Sequence, residues 1–203
     1  MTLIFSMIIM ITAAVNTHAA DNHSQAKAIL DKTAKVIAAK GGASANFVMT
    51  HPTGGKTSGK IFIKGNKFHA QTPEATVWYD GKTQWTYMKG NDEVNVTTPT
   101  QAQQQMMNPY TFITMYKSGY SLSSATKGAS YEVHLTATNS RQSIQELYVT
   151  VSKSTYVPSA IRMKHGGKWY SITISGFSAK NLSDGIFKFS TKDFPSAEII
   201  DLR

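Results

Sequence analysis

The stretch TVWYDGKTQWTYM, residues 76–88, predicts a β-hairpin and therefore an antiparallel sheet. Asp80-Gly81 separates two short runs rich in β-branched and aromatic residues, which is a strong hairpin signal. A two-residue loop of type I′ needs positive φ at both central residues, and it would pair Tyr79 with Lys82. One face of this hairpin would carry three large aromatic side chains: Trp78, Trp85 and Tyr87.

The N-terminus has the pattern of a secretory signal peptide. An apolar run from Leu3 to Val15 is followed by a short polar step and by Ala19-Ala20. Thr17 and Ala19 are typical of an A-x-A-like cleavage site, and cleavage after Ala20 fits nearly as well. We therefore expect residues 1–20 to be removed and residues 21–203 to form one domain. The chain has no cysteine, which excludes disulfides and a lipid on an N-terminal cysteine and favours a bacterial periplasm.

The charge is strongly basic, with 21 Lys and Arg against 12 Asp and Glu, a formal +9. The lysines are scattered along the chain and form no run like a nucleic-acid-binding arm. We interpret the charge as a general preference for anionic surfaces, and we expect no nucleic-acid partner and a monomer.

Periodicity predicts one helix followed by many short strands. An apolar stripe at helical spacing indicates an amphipathic helix over residues 21–40, ended by Gly41-Gly42. The stripe consists of Ala26, Leu30, Ala34, Ile37 and Ala38. About eleven short β segments follow, the last over residues 185–190, and they are separated by tight turns without βαβ rhythm. We expect one large, strongly curved antiparallel sheet, an open half-barrel whose concave face needs a cover.

An insertion between strands, Thr98–Tyr120, predicts that cover. Asn108-Pro109 would end one short helix and begin a second, which Gly119 closes. The segment is rich in methionine and aromatic residues, and methionine suits surfaces that repack around different partners. We expect this helical pair to act as a lid.

Catalytic and metal-binding patterns are weak. No two histidines have metal-ligand spacing, and GGKTSGKI, residues 54–61, imitates a phosphate-binding loop but has Ile61 where Ser or Thr should follow the lysine. No G-x-S-x-G or carboxylate pair is evident. We predict no enzyme activity, no cofactor, no metal site and no catalytic residue.

Several motifs in order along the chain resemble the periplasmic outer-membrane lipoprotein carriers of the LolA family. They are ASANFVM, GKIFIKGNKFHAQ, VWYDGKTQWTYM, the Pro99-Thr100 pair before the insertion, and the closing FKFSTKDFPSAEIIDLR, which is similar to a Bacteroidetes-type branch. The resemblance implies a half-barrel with a helical lid whose apolar cavity holds the acyl chains of a lipoprotein. It also implies two partners: an ATP-driven inner-membrane transporter that supplies the cargo and an outer-membrane acceptor that receives it.

Twelve residues are the candidates for acyl-chain binding: Phe47, Met49, Phe62, Phe68, Trp78, Trp85, Tyr87, Met106, Met107, Tyr110, Phe112 and Met115. Phe68 matches a strand aromatic that is associated with cargo transfer in the family. Gly65 stands where proteobacterial members carry an arginine that holds the lid shut, so lid closure must differ here. Three alternatives remain at this point: a lipoprotein sensor of the same fold, a carrier of another lipid, and a secreted hydrolase acting on envelope polymers.

Overall fold

The computed structural model describes residues 15–100, 103–104, 108–112 and 114–203, with side chains from residue 21 onward except those of residues 109 and 110. Helix α1 spans Val15–Ala38 and ends, as predicted, before Gly41, whose φ is +75°. Its start precedes the predicted domain boundary at Asp21, which stays a prediction. None of the described helices is long and apolar enough to cross a membrane.

Twelve strands follow in one sheet. They are β1 (Ala43–Thr50), β2 (Lys56–Lys64), β3 (Lys67–Gln71), β4 (Ala75–Tyr79), β5 (Gln84–Met88), β6 (Glu93–Thr97), β7 (Tyr120–Lys127), β8 (Ser130–Ala137), β9 (Ile144–Ser152), β10 (Pro158–His165), β11 (Lys168–Ala179) and β12 (Glu198–Asp201). Their order is β12-β6-β5-β4-β3-β2-β1-β11-β10-β9-β8-β7, so the curved sheet stays open at β12 and β7. Neighbours are antiparallel except β6 and β12, which are parallel.

The main core lies between α1 and the second half of the sheet. Ala26, Ile29 and Leu30 of α1 are almost fully buried against a set of strand residues that includes Val133 and Leu147. The apolar stripe of α1 was therefore predicted on the side that packs on the sheet, although the prediction did not include Ile29. A second cluster lies on β1–β4 and contains Ala45, Ile61, Ile63, Phe68 and Tyr79.

The predicted strands need correction at the ends of the sheet: one is wrong and two were missed. Residues 185–190 are not a strand: a 3₁₀ helix, Asp184–Phe187, lies there, and it fully buries Phe187. Strands β7 and β12 were missed, so twelve strands replace the predicted eleven. Because β12 pairs with β6, about a hundred residues earlier in the chain, no local pattern announces it.

The predicted type I′ turn is also wrong. Gly81 has a φ of +103°, but Asp80 is not left-handed. The register pairs Tyr79 with Gln84 and Trp78 with Trp85, which leaves a four-residue connection. Asp80 stabilises this connection, because its Oδ1 accepts from the amides of Lys82 (3.0 Å) and Thr83 (2.8 Å).

The predicted pair of inserted helices is not confirmed by the described residues. A single helical turn, α2, spans Pro109–Phe112 and begins at Pro109 as predicted, and a 3₁₀ helix spans Met115–Lys117. Met106 and Met107 lie outside the described residues, as does the side chain of Tyr110.

Candidate functional site

An apolar cavity of about 150 Å³ lies on the face of the sheet that carries α1. It follows β1 from Ala43 to Met49. Its walls come from α1, β1, β2, β3, β10, β11 and α2, and they are Ile37, Ala43, Ser44, Ala45, Asn46, Phe47, Met49, Ile61, Ile63, Ala70, Phe112, Pro158, Ile161, Ile172, Ile174 and Phe177. Only Ser44 and Asn46 of these are polar, and none is titratable, so the cavity is suited to hydrocarbon.

The strand sequences explain why these walls are apolar. In β2, Ile61 and Ile63 alternate with polar or outward-facing neighbours, and successive side chains of a strand point to opposite faces. In β11, Ile172 and Ile174 alternate with Ser and Thr in the same way. Since β1 lies between these two strands, both isoleucine pairs face one space beside Phe47.

Three of the twelve candidate residues line this cavity: Phe47, Met49 and Phe112. Phe112 also belongs to the main core, because its side chain is only 2% exposed. Phe68 is buried in the adjoining cluster on the cavity side, with its ring 5.5 Å from that of Tyr79. Met115 is buried in the main core and is not part of the wall.

Four aromatic candidates lie on the opposite face, which corrects their expected placement. Phe62 alternates with Ile61 and Ile63, and it stacks on His69 at 5.5 Å. His69 in turn stacks on Trp78 at 5.3 Å. Trp85 and Tyr87 share this face, because they lie opposite Trp78 and Thr76 in the β4–β5 ladder. The predicted grouping of the hairpin aromatics is thus correct, but they do not line the cavity.

The C-terminal segment covers this aromatic face. Phe189 and Phe194 each lie 5.5 Å from the ring of Trp78, and Phe194 lies 4.6 Å from that of Tyr87. An ion pair between Lys67 and Asp184 (3.0 Å) attaches the start of the segment to β3. The hairpin aromatics therefore hold the chain terminus against the sheet.

His69 is the least satisfied polar side chain of this face. Its ring is 9% exposed, and neither ring nitrogen has a hydrogen-bond partner among the described residues. Burial lowers the pKa of His69 from 6.5 to about 4, because a charged imidazolium would lose its hydration there. At neutral pH, His69 is thus an uncharged ring in an aromatic stack.

Two hydrogen bonds attach the described part of the insertion to the body. The side-chain amide of Asn108 donates to the carbonyl of Asn66 at 2.7 Å. The hydroxyl of Tyr116 donates to the carboxylate of Asp31 on α1. The hydrogen bond from Lys27 lowers the pKa of Asp31 most, and the one from Tyr116 lowers it further, so this acceptor stays ionised.

Gly65, the predicted departure from the family, lies beside the first of these attachments. It has a φ of +57°, a left-handed conformation that favours glycine. The next residue, Asn66, supplies the carbonyl that Asn108 binds. The turn therefore holds the insertion through its backbone.

Most of the cavity wall was missed by the sequence analysis. Its aliphatic members, such as Ile61, Ile63, Ile172 and Ile174, were passed over in favour of the larger aromatics. The alternation of KIFIK and SITIS was the available signal, because it separates the isoleucines from the lysines, serines and Phe62.

Comparison with solved structures found several similar chains. An uncharacterized conserved protein of Thermus thermophilus superposes with a TM-score of 0.59 at 11% identity, over 87% of this chain and 99% of its own. A LolA superfamily protein of Nitrosomonas europaea gives 0.46 at 13% identity, over 81% and 97%. A putative outer membrane lipoprotein-sorting protein domain of Vibrio parahaemolyticus gives 0.44 at 10%, over 80% and 97%.

Sequence comparison identifies the family. No curated protein matches the chain significantly. The family model described as outer membrane lipoprotein carrier protein LolA matches residues 15–167, about three quarters of the sequence. The match includes α1, strands β1–β10 and the insertion that contributes Phe112 to the cavity. The chain therefore belongs to the outer membrane lipoprotein carrier protein LolA family.

Proposed function

We propose that this protein is a periplasmic carrier that holds acyl chains of lipoproteins in the cavity between α1 and the sheet. The observation that carries the proposal is the chemistry of the described wall, where the only polar residues are Ser44 and Asn46. Hydrocarbon gains about 0.8 kcal/mol for each methylene that leaves water. A wall without charge binds chains by this effect alone, and it provides no acid or base for catalysis.

The size of the cavity suggests how loading proceeds. About 150 Å³ is the volume of an engineered protein cavity that holds benzene, so it accommodates only part of a long acyl chain. Loading then requires part of the wall to move. Among the described residues of the insertion, Phe112 is the one in the wall, and Asn108 and Tyr116 attach this part to the body. Displacing α2 would extend the cavity and expose its apolar floor.

Membership of the family and the predicted export signal support a shuttle function. We infer that the mature chain receives cargo from an inner-membrane transporter driven by ATP and delivers it to an acceptor at the outer membrane. A carrier must release what it binds. Contacts with hydrocarbon alone suit this task, since no directional bond fixes the cargo in place.

The experiment is a titration of the purified mature protein with cis-parinaric acid and with an acylated lipopeptide, followed by fluorescence. Both ligands are expected to bind and to compete with each other. Mass spectrometry of the protein purified from its native periplasm should show acylated lipoprotein. Absence of binding for both ligands by a folded protein would contradict the carrier function.

A further inference from the structure

A cluster of tyrosines and lysines lies where α1 meets the β9–β10 connection. The rings of Tyr131 and Tyr156 stack with centroids 6.2 Å apart and planes inclined by 25°. The ammonium of Lys32 lies 4.7 Å from the Tyr156 ring centre, and that of Lys153 lies 5.6 Å from the Tyr131 ring centre. Two positive charges therefore flank one aromatic pair.

These two charges are not neutralised by the described residues. Neither Lys32 nor Lys153 has a carboxylate within 4.0 Å in the part of the chain that the structure covers. The nearby acids are engaged elsewhere: Asp31 with Lys27 at 2.7 Å, and Glu132 with Lys127 at 2.6 Å. The cluster thus keeps a net positive charge available for an external anion.

Two hydrogen-bond donors converge in this cluster. The ammonium of Lys32 donates to the hydroxyl oxygen of Tyr156 at 3.1 Å. That hydroxyl accepts from lysine, so its own proton remains available for another acceptor. This hydrogen bond raises the pKa of Lys32, which keeps the ammonium charged. An anionic oxygen near both groups could accept from the lysine and the tyrosine together.

The backbone holds Tyr156 in an unfavourable conformation. Its φ is +57°, and one other described non-glycine residue, Asp92, shares this region. A bulky side chain in the left-handed region costs about 1–3 kcal/mol and persists where the surroundings enforce it, often at ligand sites. Here the amide of Tyr156 is bonded to the carbonyl of Ser152 at 2.9 Å, and its ring packs on the main core.

The cluster lies next to the cavity. Pro158 lines the cavity and follows Tyr156 by two residues, a span of about 7 Å at most. Through the strand register Pro158 lies near the level of Ser175 and Asn46, midway along the cavity between Ala43 and Met49. A chain whose end reaches Pro158 would bring its head close to Tyr156.

We propose that Lys32, Tyr156 and Lys153 form a subsite for the anionic head of an amphiphile whose hydrocarbon lies in the cavity. The ligand class is a lipid with a carboxylate or phosphate head. The inference rests on the proposed carrier function and adds head-group selectivity to a wall that by itself recognises only hydrocarbon.

The test compares two probes that differ in head charge alone, cis-parinaric acid and its methyl ester, at a pH where the acid is ionised. Wild type should bind the acid about two to five times more tightly than the ester, the range expected for a partly exposed charged contact. Lys32→Met should remove most of this preference by weakening binding of the acid, and it should leave the affinity for the ester unchanged. Tyr156→Phe should remove part of the preference.

Lys35→Met is the matched control, because Lys35 is an exposed lysine of the same helix. It should bind both probes like wild type. Inorganic phosphate alone should not displace the acid, and displacement would indicate a free-anion site instead.

Equal affinity of wild type for acid and ester, or an equal loss of both in Lys32→Met, would overturn the subsite while leaving the carrier function intact. Binding of neither probe would contradict the carrier function, and the subsite with it.

Discussion

Asn108, at the start of α2, donates a hydrogen bond of 2.7 Å from its side-chain amide to the main-chain carbonyl of Asn66, in the turn after β2. Asn108 is 3% exposed, so this bond is shielded from water. It connects the element that carries Phe112 to the turn after β2, the strand that carries Ile61 and Ile63. The cavity wall on the insertion is thereby fixed to the cavity wall on the sheet.

We expect Asn108→Ala to loosen this wall. Loss of one buried hydrogen bond costs about 1 kcal/mol of stability and leaves the Asn66 carbonyl without its partner. Ligand dissociation, measured by stopped-flow displacement of a fluorescent fatty acid, should become severalfold faster. Asn66→Ala keeps the main-chain carbonyl, so its ligand should dissociate at the wild-type rate. Unchanged dissociation in Asn108→Ala would show that this bond does not restrain the insertion.

Gly81 should resist substitution although its turn is not of type I′. Its φ is +103°, and a Cβ there would lie 3.0 Å from the side-chain nitrogen of Asn66. We expect Gly81→Val to lower the free energy of unfolding by about 1–3 kcal/mol. Gly90→Val is the control, since Gly90 lies in the next turn without a positive φ or a close neighbour. Chemical denaturation should show a larger loss in the free energy of unfolding for Gly81→Val than for Gly90→Val. Equal losses would show that the conformation of Gly81 does not require glycine.

Stability should fall in acid because of His69. Its pKa is 6.5 in the unfolded chain and about 4 in the fold. The unfolded state therefore binds a proton first as the pH decreases. The contribution of His69 to the free energy of unfolding is fully present above about pH 6.5. It is lost as the pH falls toward 4, by up to about 3 kcal/mol.

The variant that checks this is His69→Phe, which keeps an aromatic ring between Phe62 and Trp78 and removes two unpaired nitrogens. Denaturation curves at pH 7 and pH 4.5 should differ less for the variant than for wild type. An unchanged difference would assign the acid sensitivity to other groups.

Local patterns predicted the parts of the fold that local interactions determine. The α1 stripe, the hairpin aromatics on one face and the start of α2 at Pro109 all follow from spacing and caps. Pairing between strands far apart in the chain could not be predicted from such patterns, and β12 on β6 is the example. In GIFKFS the alternation of Phe187 and Phe189 imitates a strand, but Phe187 is buried from a 3₁₀ helix.

The site was predicted less well for a related reason. Large aromatics were chosen because they bury the most area, yet alternation decides which face a side chain occupies. Phe62 lies between Lys60 and Lys64 in alternation with the isoleucines, so sequence alone could assign it to the face opposite Ile61 and Ile63. Which face is covered by α1, and which by the chain terminus, depends on tertiary packing that no single segment specifies.

The central claim is that hydrocarbon binds in the cavity beside β1, and Ala45 is the residue to test it. Its side chain is 8% exposed and lies in the wall between Ala43 and Phe47. Ala45→Phe would place a ring in the cavity, with a modest cost in stability because it fills empty space. Ala125→Phe makes the same change at a position on β7 that lies outside the cavity wall.

The decisive measurement is a titration of both variants and wild type with cis-parinaric acid, beside a thermal melt of each. We predict at least about a tenfold loss of affinity for Ala45→Phe, or about 1.4 kcal/mol, while Ala125→Phe binds like wild type and both remain folded. Affinity of folded Ala45→Phe equal to that of wild type would contradict acyl-chain binding in this cavity.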